Sequence, residues 1–267
     1  MNHTNDRVAS NEAAWDRAAQ TYADEVERDI TALQSGAISL LPEEVRLLGD
    51  LSDVELAIHL QCSHGLDALS LLHLGVQRVV GVDISAAMLT QARQKTEALG
   101  ANAEWVHSAV LSTPRSLNGT ADLVYTGKGA LPWMDDLTAW AHVVARLLKP
   151  GGRLFVYEGH PLTWVWDEDA SRHRLRDGRS YFDAEAQANT GFPAAAVERY
   201  TPSSEAPPTA WEWPWTLGQV VTATAQAGLR VEHLEEHPVH FWDHFPNIPA
   251  AEMQRLPHTY TLIARKA

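Results

Sequence analysis

The chain has 267 residues, with 21 Lys and Arg against 34 Asp and Glu, a formal net charge of −13. With no cluster of Lys or Arg, that balance argues against a nucleic-acid partner, because a phosphate backbone is bound with cations. Hydrophobic residues at 45% and charged residues at 21% fit an ordinary globular chain, and no segment approaches the ~20 apolar residues of a membrane span.

The beginning, "MNHTNDRVASNEAAW", is polar and lacks an apolar core, so the expected location is the cytoplasm. "SNEAAWDRAAQTYADEVERDI" predicts one amphipathic helix with Ser10 or Asn11 as its cap and Trp15, Ala18, Ala19, Tyr22 and Val26 on one stripe. A second helix is expected in "LLPEEVRLLGDL", with Pro42 near its first turn and Gly49 beyond its end. Residues 1–50 thus form a helical cover.

From Val54 the pattern becomes short apolar strands separated by helices: "VELAIHL", "ALSLLHLG", "RVVGVDIS", "AAMLTQARQKTEALG", "AEWVHSAV", "ADLVYTG", "LTAWAHVVARLLKPGG" and "RLFVYEGH". This alternation predicts right-handed crossovers and a parallel sheet covered on both faces, with ligands bound beyond the carboxyl ends of the strands. Periodicity then weakens over residues 160–214, a stretch too long for an ordinary connection, holding Trp164, Trp166, Trp211, Trp213, Pro193, Pro207 and Pro208. A substrate-binding insertion in a single domain over 1–267 is the expectation. A helix, "LGQVVTATAQAG", and two strands, "LRVEHLEEH" and "HTYTLIARKA", close the chain.

The first strand runs into "HLQCSHGLD", a strand–loop–helix junction of the kind that builds nucleotide pockets, here with one glycine, Gly65. About twenty residues on, Asp83 ends the second strand, where a carboxylate can accept from both hydroxyls of a ribose; alternatively Asp83 or Ser85 caps the next helix. Cys62, the single cysteine, excludes an internal disulfide and a multi-cysteine metal site, and reads as a small buried hydrophobe.

"AIHLQCSHG", "VVGVDIS", "ADLVYTGKGAL" and "LLKPGGRLFVYEGHP", in that order and spacing, resemble the class I S-adenosylmethionine-dependent methyltransferases. The likeness covers about residues 10 to 160 and the closing helix, strand and strand. The form "HLQC…G.D.LSLL.LG" and the ending "LPHTYTLIARK" are similar to a small-molecule subgroup. The resemblance implies an α/β, Rossmann-like class I methyltransferase fold, whose seven-stranded sheet is mostly parallel with an antiparallel last strand. It implies S-adenosylmethionine as cofactor, S-adenosylhomocysteine as product, and methyl transfer to an O, N or C nucleophile of a small molecule. A nicotinamide-dependent dehydrogenase would instead carry G-x-G-x-x-G in the loop.

Carried over position by position, the resemblance places Gln61, Ser63, Gly65, Asp83, Ile84, Met88, Ala109, Val110, Gly127 and Lys128 at the cofactor. It adds Trp15 and Tyr22 closing over the methionine end, unless they simply pack the helix. Two departures stand out. The family's loop reads acidic-x-G-x-G-x-G where this chain has His59, Gln61, Ser63 and Gly65, and Ala109 replaces the usual acidic contact to the adenine amino group. Backbone groups near Val110, or another side chain, are then left to recognise the base.

Methyl transfer from a sulfonium is an in-line displacement that needs a base only where the nucleophile carries a proton. His160, at the end of "YEGH" beside Glu158, is the candidate general base, with a structural histidine before Pro161 as its alternative. Lys128 would pair with a carboxylate of substrate or cofactor, or be a solvated surface lysine. The ten tryptophans and the acidic balance suit an aromatic or cationic acceptor, unless the tryptophans fill the core beneath the long loop. His233, His237, His240 and His244 invite a metal reading, but "LRVEHLEEH" reads as a strand, so no metal is expected. Two rival functions remain: a non-catalytic S-adenosylmethionine-binding or regulatory protein, and an enzyme that uses the same sulfonium without methyl transfer, for example in an intramolecular cyclisation.

Overall fold

Runs of Leu, Val and Ile with no polar alternation belong in strands buried on both faces, and they build one sheet. The computed structural model describes residues 3–189, 206, 208–242 and 244–267. The strands are β1 (Leu56–Leu60), β2 (Arg78–Asp83), β3 (Ala103–His107), β4 (Ala121–Gly127), β5 (Leu148–Gly159), β6 (Gln187–Asn189), β7 (Ala210–Glu212), β8 (Leu229–His237) and β9 (Thr259–Lys266). Seven of them form one sheet in the order β3-β2-β1-β4-β5-β9-β8, in which only β9 runs antiparallel to its neighbours. This is the architecture expected from the sequence. β6 and β7 form a separate antiparallel pair.

The helices are α1 (His3–Ala23), α2 (Val26–Gln34), α3 (Pro42–Leu48), α4 (Leu66–His73), α5 (Ala86–Leu99), α6 (Leu137–Leu147), α7 (Leu217–Gln226) and α8 (Ala250–Met253). One face of the sheet packs a core around Trp140, Val144 and Leu147 of α6, and the other a core around Leu69, Leu89 and Trp105. None of these helices is long and apolar enough to cross a membrane.

Three boundaries differ from the sequence reading. The single helix expected over 10–30 is two helices broken at Asp24 and Glu25, and Ser10 and Asn11 lie inside α1 rather than capping it. Their side chains have another use. Ser10 donates to the carbonyl of Thr209 at 2.5 Å, while the Asn11 amide donates to Trp211 O at 2.9 Å and accepts from Trp211 N at 2.7 Å, so α1 is fastened to β7. At "LLKPGG" the helix ends at Leu147, and Leu148 already pairs with Ala121 before the register shifts to Leu123 opposite Arg153. Pro150 and Gly151 are therefore a bulge within β5, since Pro brings no N–H to the ladder there. In α3, Pro42 is at the first turn and Gly49, at φ 68°, follows the end, as the sequence indicated.

The stretch expected as a structureless insertion contains a short 3-10 turn (Pro161–Val165), a bridge between Trp166 and Leu175, and the β6–β7 pair. Pro193 and Pro207 lie outside the described residues.

Beneath the cover, the fully buried Lys95 of α5 pairs with Asp29 of α2 at 2.8 Å and donates to the carbonyl of His64 at 3.1 Å. Burial holds the Lys95 pKa below its usual value against the opposing pull of Asp29. Removing one partner of such a pair strands the other charge out of water. Lys95→Met is expected to lower unfolding stability by about 3 kcal/mol, read from urea denaturation, and a loss below about 1 kcal/mol would show that the pair is not holding α2 in place.

Candidate active site

A parallel sheet brings the carboxyl ends of β1, β2, β4 and β5 to one edge, and the loops leaving those ends make the site. After β1 the backbone turns left-handed at Gln61 (φ 58°), Ser63 (φ 49°) and Gly65 (φ 81°). The loop keeps the conformation that glycines would favour while using side-chain-bearing residues at two of the three positions. Each non-glycine residue there costs about 1–2 kcal/mol. Asp83 offsets this: its carboxylate, 7% exposed, accepts from Ser63 N at 2.7 Å and from Ser85 N at 2.8 Å. Hydrogen bonds to a charged group contribute about 1.5–3 kcal/mol each, enough to hold the strained turn. Burial nevertheless pushes the Asp83 pKa up to about 6, with the backbone donors pulling it down. Ser85, not Asp83, caps α5, accepting from Met88 N at 3.1 Å.

These elements enclose a cavity of about 410 Å³. Trp15, Tyr22, Gln61, Ser63, Asp83, Ile84, Ala109, Val110, Gly127 and Lys128 all line it. Gly65 and Met88 do not. A Cβ on Gly65 would lie 2.5 Å from the Trp105 ring, so this glycine serves the contact between loop and β3, and Met88 is fully buried beneath Ser63. Gly127 is needed for strand contact as well: its Cβ would meet the carbonyl oxygen of Tyr157 at 2.4 Å.

His160 does not reach the cavity, which corrects its expected role as general base. It is 4% exposed, its Nε2 hydrogen-bonds Glu236 at 2.8 Å, and its Nδ1 accepts from Leu162 N at 3.2 Å, so both ring nitrogens are occupied in capping the turn after β5. Glu158 is likewise structural, its buried carboxylate accepting from Gly129 N at 2.5 Å and Leu131 N at 2.9 Å and so shaping the loop after β4. Lys128 is neither a solvated lysine nor a free cation. Its ammonium donates to Asp67 and to the carbonyl of Ser39, both at 2.9 Å, and Glu44 stands at 3.4 Å. Burial raises the Glu44 pKa to about 7 despite the Lys128 charge.

Several lining residues escaped the sequence reading: Asn11, His59, His64, Asp67, Trp133, Asp135 and Trp242. Burial depresses His59 to about 4 and His64 to about 3, so both rings are neutral. His64 stacks on Tyr22 with centroids 4.6 Å apart, and Trp15 meets Trp133 edge-on at 5.2 Å. The "LPWMDD" segment after β4 carried the sequence signal for Trp133 and Asp135, an aromatic and a carboxylate just past a strand end. The end of the long insertion and the residues just past it brace this wall: Trp213 N donates to Pro132 O at 2.7 Å and Trp215 Nε1 to Met134 O at 2.9 Å. His233 and His237 lie on β8, and among the described residues no three potential ligands converge as a metal cage.

Comparison with known proteins agrees with this geometry. Residues 57–152 match the family model of a methyltransferase domain. The chain is similar to an S-adenosylmethionine dependent methyltransferase from Mesorhizobium loti, at 20% identity and TM-score 0.63, over 84% of this chain and 96% of that one. It is also similar to geranyl diphosphate C-methyltransferase from Streptomyces coelicolor A3(2), at 15% identity and TM-score 0.56, over 84% and 74% of the two chains, in a complex containing S-adenosyl-L-homocysteine. At these identities the structural likeness establishes the fold. No curated protein matches the sequence. Residues 57–152 thus match a methyltransferase domain, and the chain has the fold of the S-adenosylmethionine-dependent methyltransferases it is similar to.

Gly127→Ala forces β4 away from the Tyr157 carbonyl, and overpacking of this kind costs about 1–3 kcal/mol. The expected outcome is a loss of that size in denaturant-induced unfolding; an unchanged midpoint would show that the strands part without strain.

Proposed function

We propose that the enzyme methylates an O, N or C nucleophile of a small molecule, with Asp83 holding the ribose of the donor and α1 and the segment after β4 enclosing the acceptor. The observation that carries this reading is the placement of Asp83 on the cavity wall. Its bonds to the backbone N–H groups of Ser63 and Ser85 do not exhaust the acceptor positions of its carboxylate, which leaves capacity for a hydroxyl group. The residues present suit the donor in other respects. Two buried polar atoms on cavity-lining residues, His59 Nδ1 and Gln61 Oε1, have no hydrogen-bond partner among the described residues, and the Gln61 amide is oriented by donating from Nε2 to Ala130 O at 2.7 Å. Buried polar atoms left open in this way are suited to the polar groups of a bound ligand. Around Ala109 and Val110 the wall is small and apolar, which supports packing against a base with recognition by main-chain groups.

When bound, S-adenosylmethionine supplies an electrophilic methyl carbon on a sulfonium. The chain contributes position: Asp83 and the loop after β1 fix the donor's orientation, Tyr22 and Trp15 of α1 exclude water, and the segment after β4 presents the acceptor side. His160, facing away, takes no proton in this scheme. Titration calorimetry with S-adenosylhomocysteine tests the donor site. Asp83→Ala is expected to weaken binding roughly 100-fold, the equivalent of about 2.7 kcal/mol. Because protonation turns one acceptor of the carboxyl into a donor and weakens the other, wild-type affinity should be constant above the Asp83 pKa of about 6 and fall below it, by at most tenfold per pH unit, while Asp83→Asn shows no such step. Unchanged affinity in Asp83→Ala would refute the ribose role. Methylthioadenosine in place of S-adenosylhomocysteine as the turnover product would overturn methyl transfer itself.

A further inference from the structure

One wall of the cavity, shared by α1 and the segment after β4, has a charge and an aromatic character of its own. Trp15 from α1 and Trp133 from the segment after β4 meet edge-on at 5.2 Å, with Met134 and Asp135 continuing the same wall. Two aspartates stand side by side here with different uses. Asp136 caps α6, accepting from Ala139 N at 2.8 Å, whereas Asp135 is half-buried on the cavity. Burial raises the Asp135 pKa, its neighbour Asp136 adds to this, and backbone N–H groups and the more remote Arg7 oppose it. The Arg7 guanidinium is itself stacked over Trp211, 4.5 Å from the ring centroid.

Positive charge on the cavity is fully accounted for among the described residues. Lys128 is the one cationic side chain in the lining, and Asp67, Glu44 and Ser39 O take up its ammonium. His59 and His64 are neutral. An anionic acceptor would meet carboxylates with no cation left to pair it, which costs heavily in a partly dry site. A cation would find a carboxylate and indole rings on the same cavity, the combination that recognises ammonium groups.

Resting on the methyl-transfer reading above, we propose that the acceptor carries a cationic group, of the ammonium class, which is seated against Trp15 and Trp133 and paired with Asp135. A protonated amine has no lone pair, so this group is the anchor, and the methyl-accepting atom lies elsewhere on the same molecule. Asp135 is then a specificity-determining residue of the acceptor site.

The test uses the full chain saturated with S-adenosylhomocysteine and three probes: tryptamine, indole-3-acetate with the same ring and the opposite charge, and geranyl diphosphate with Mg2+. Tryptamine is expected to bind at least tenfold more tightly than indole-3-acetate. Asp135→Asn should remove that preference while S-adenosylhomocysteine affinity stays within twofold, and Asp135→Glu should restore part of it; thermal melts check that each variant is folded. Equal binding of the two indoles, tighter binding of geranyl diphosphate, no binding of any probe, or a preference that survives Asp135→Asn would each overturn the proposal. So would a loss in Asp135→Asn confined to S-adenosylmethionine, which would assign the carboxylate to the donor's sulfonium. Failure of the wild type to bind S-adenosylhomocysteine sinks the methyl-transfer reading instead, so the two failures are separable.

Discussion

One buried carboxylate organises the ligand edge of this protein. Asp83 ends β2, and the neighbouring strand β1 delivers a loop whose backbone turns left-handed at Gln61 and Ser63. Without an anchor that turn would relax, because both residues pay a steric cost that glycine avoids. The bonds from Ser63 N and Ser85 N to Asp83 tie loop, strand end and the start of α5 into one piece. The chain can therefore dispense with two glycines and gain two side chains on the cavity: Ser63 beside Asp83, and Gln61 bridging to Ala130 after β4.

From that piece the cover is built outward through polar contacts that also reach the helix ends. Asp16 of α1 accepts from Ser85 Oγ at 2.6 Å and Ala87 N at 3.2 Å, placing a carboxylate at the N-terminus of α5, where the orphan N–H groups and helix dipole favour it. Asn11 grips β7 through both halves of its amide, and Asp29 of α2 meets Lys95. The cover is thus held at three points, and Trp15 and Tyr22 reach the cavity as a consequence. Among the described residues the insertion contributes support instead of lining: Trp213 N bonds to Pro132 O and, just past the insertion, Trp215 bonds to Met134 O, next to Trp133 and Asp135.

His160 and Lys128 show where reading by position fails. Both stand at strand ends on the ligand edge, as their places in "YEGH" and "YTGKG" suggested. Their partners come from elsewhere: Glu236 on β8 takes the His160 ring, while Glu44 of α3 and Asp67 of α4 take the Lys128 ammonium. Partners 60 to 90 residues away in sequence leave no local pattern, so neither assignment was open to inspection of the motif alone.

The sequence by itself determined the strand and helix order and the seven-stranded sheet with its reversed last strand, and it picked out many of the residues that line the cavity. These are set by local apolar periodicity and by spacing within single strand–loop–helix units, which are properties of short segments. Only the tertiary structure decided that the first part of the cover is two helices, α1 and α2, with α1 pinned at Asn11 and Asp16, that His160 turns away, and that Asp67, Asp135 and Trp242 share a cavity with Asp83. Those facts depend on long-range packing and on which buried charge finds which partner, and a burial penalty of several kcal/mol for an unpaired charge settles them only once the chain has folded.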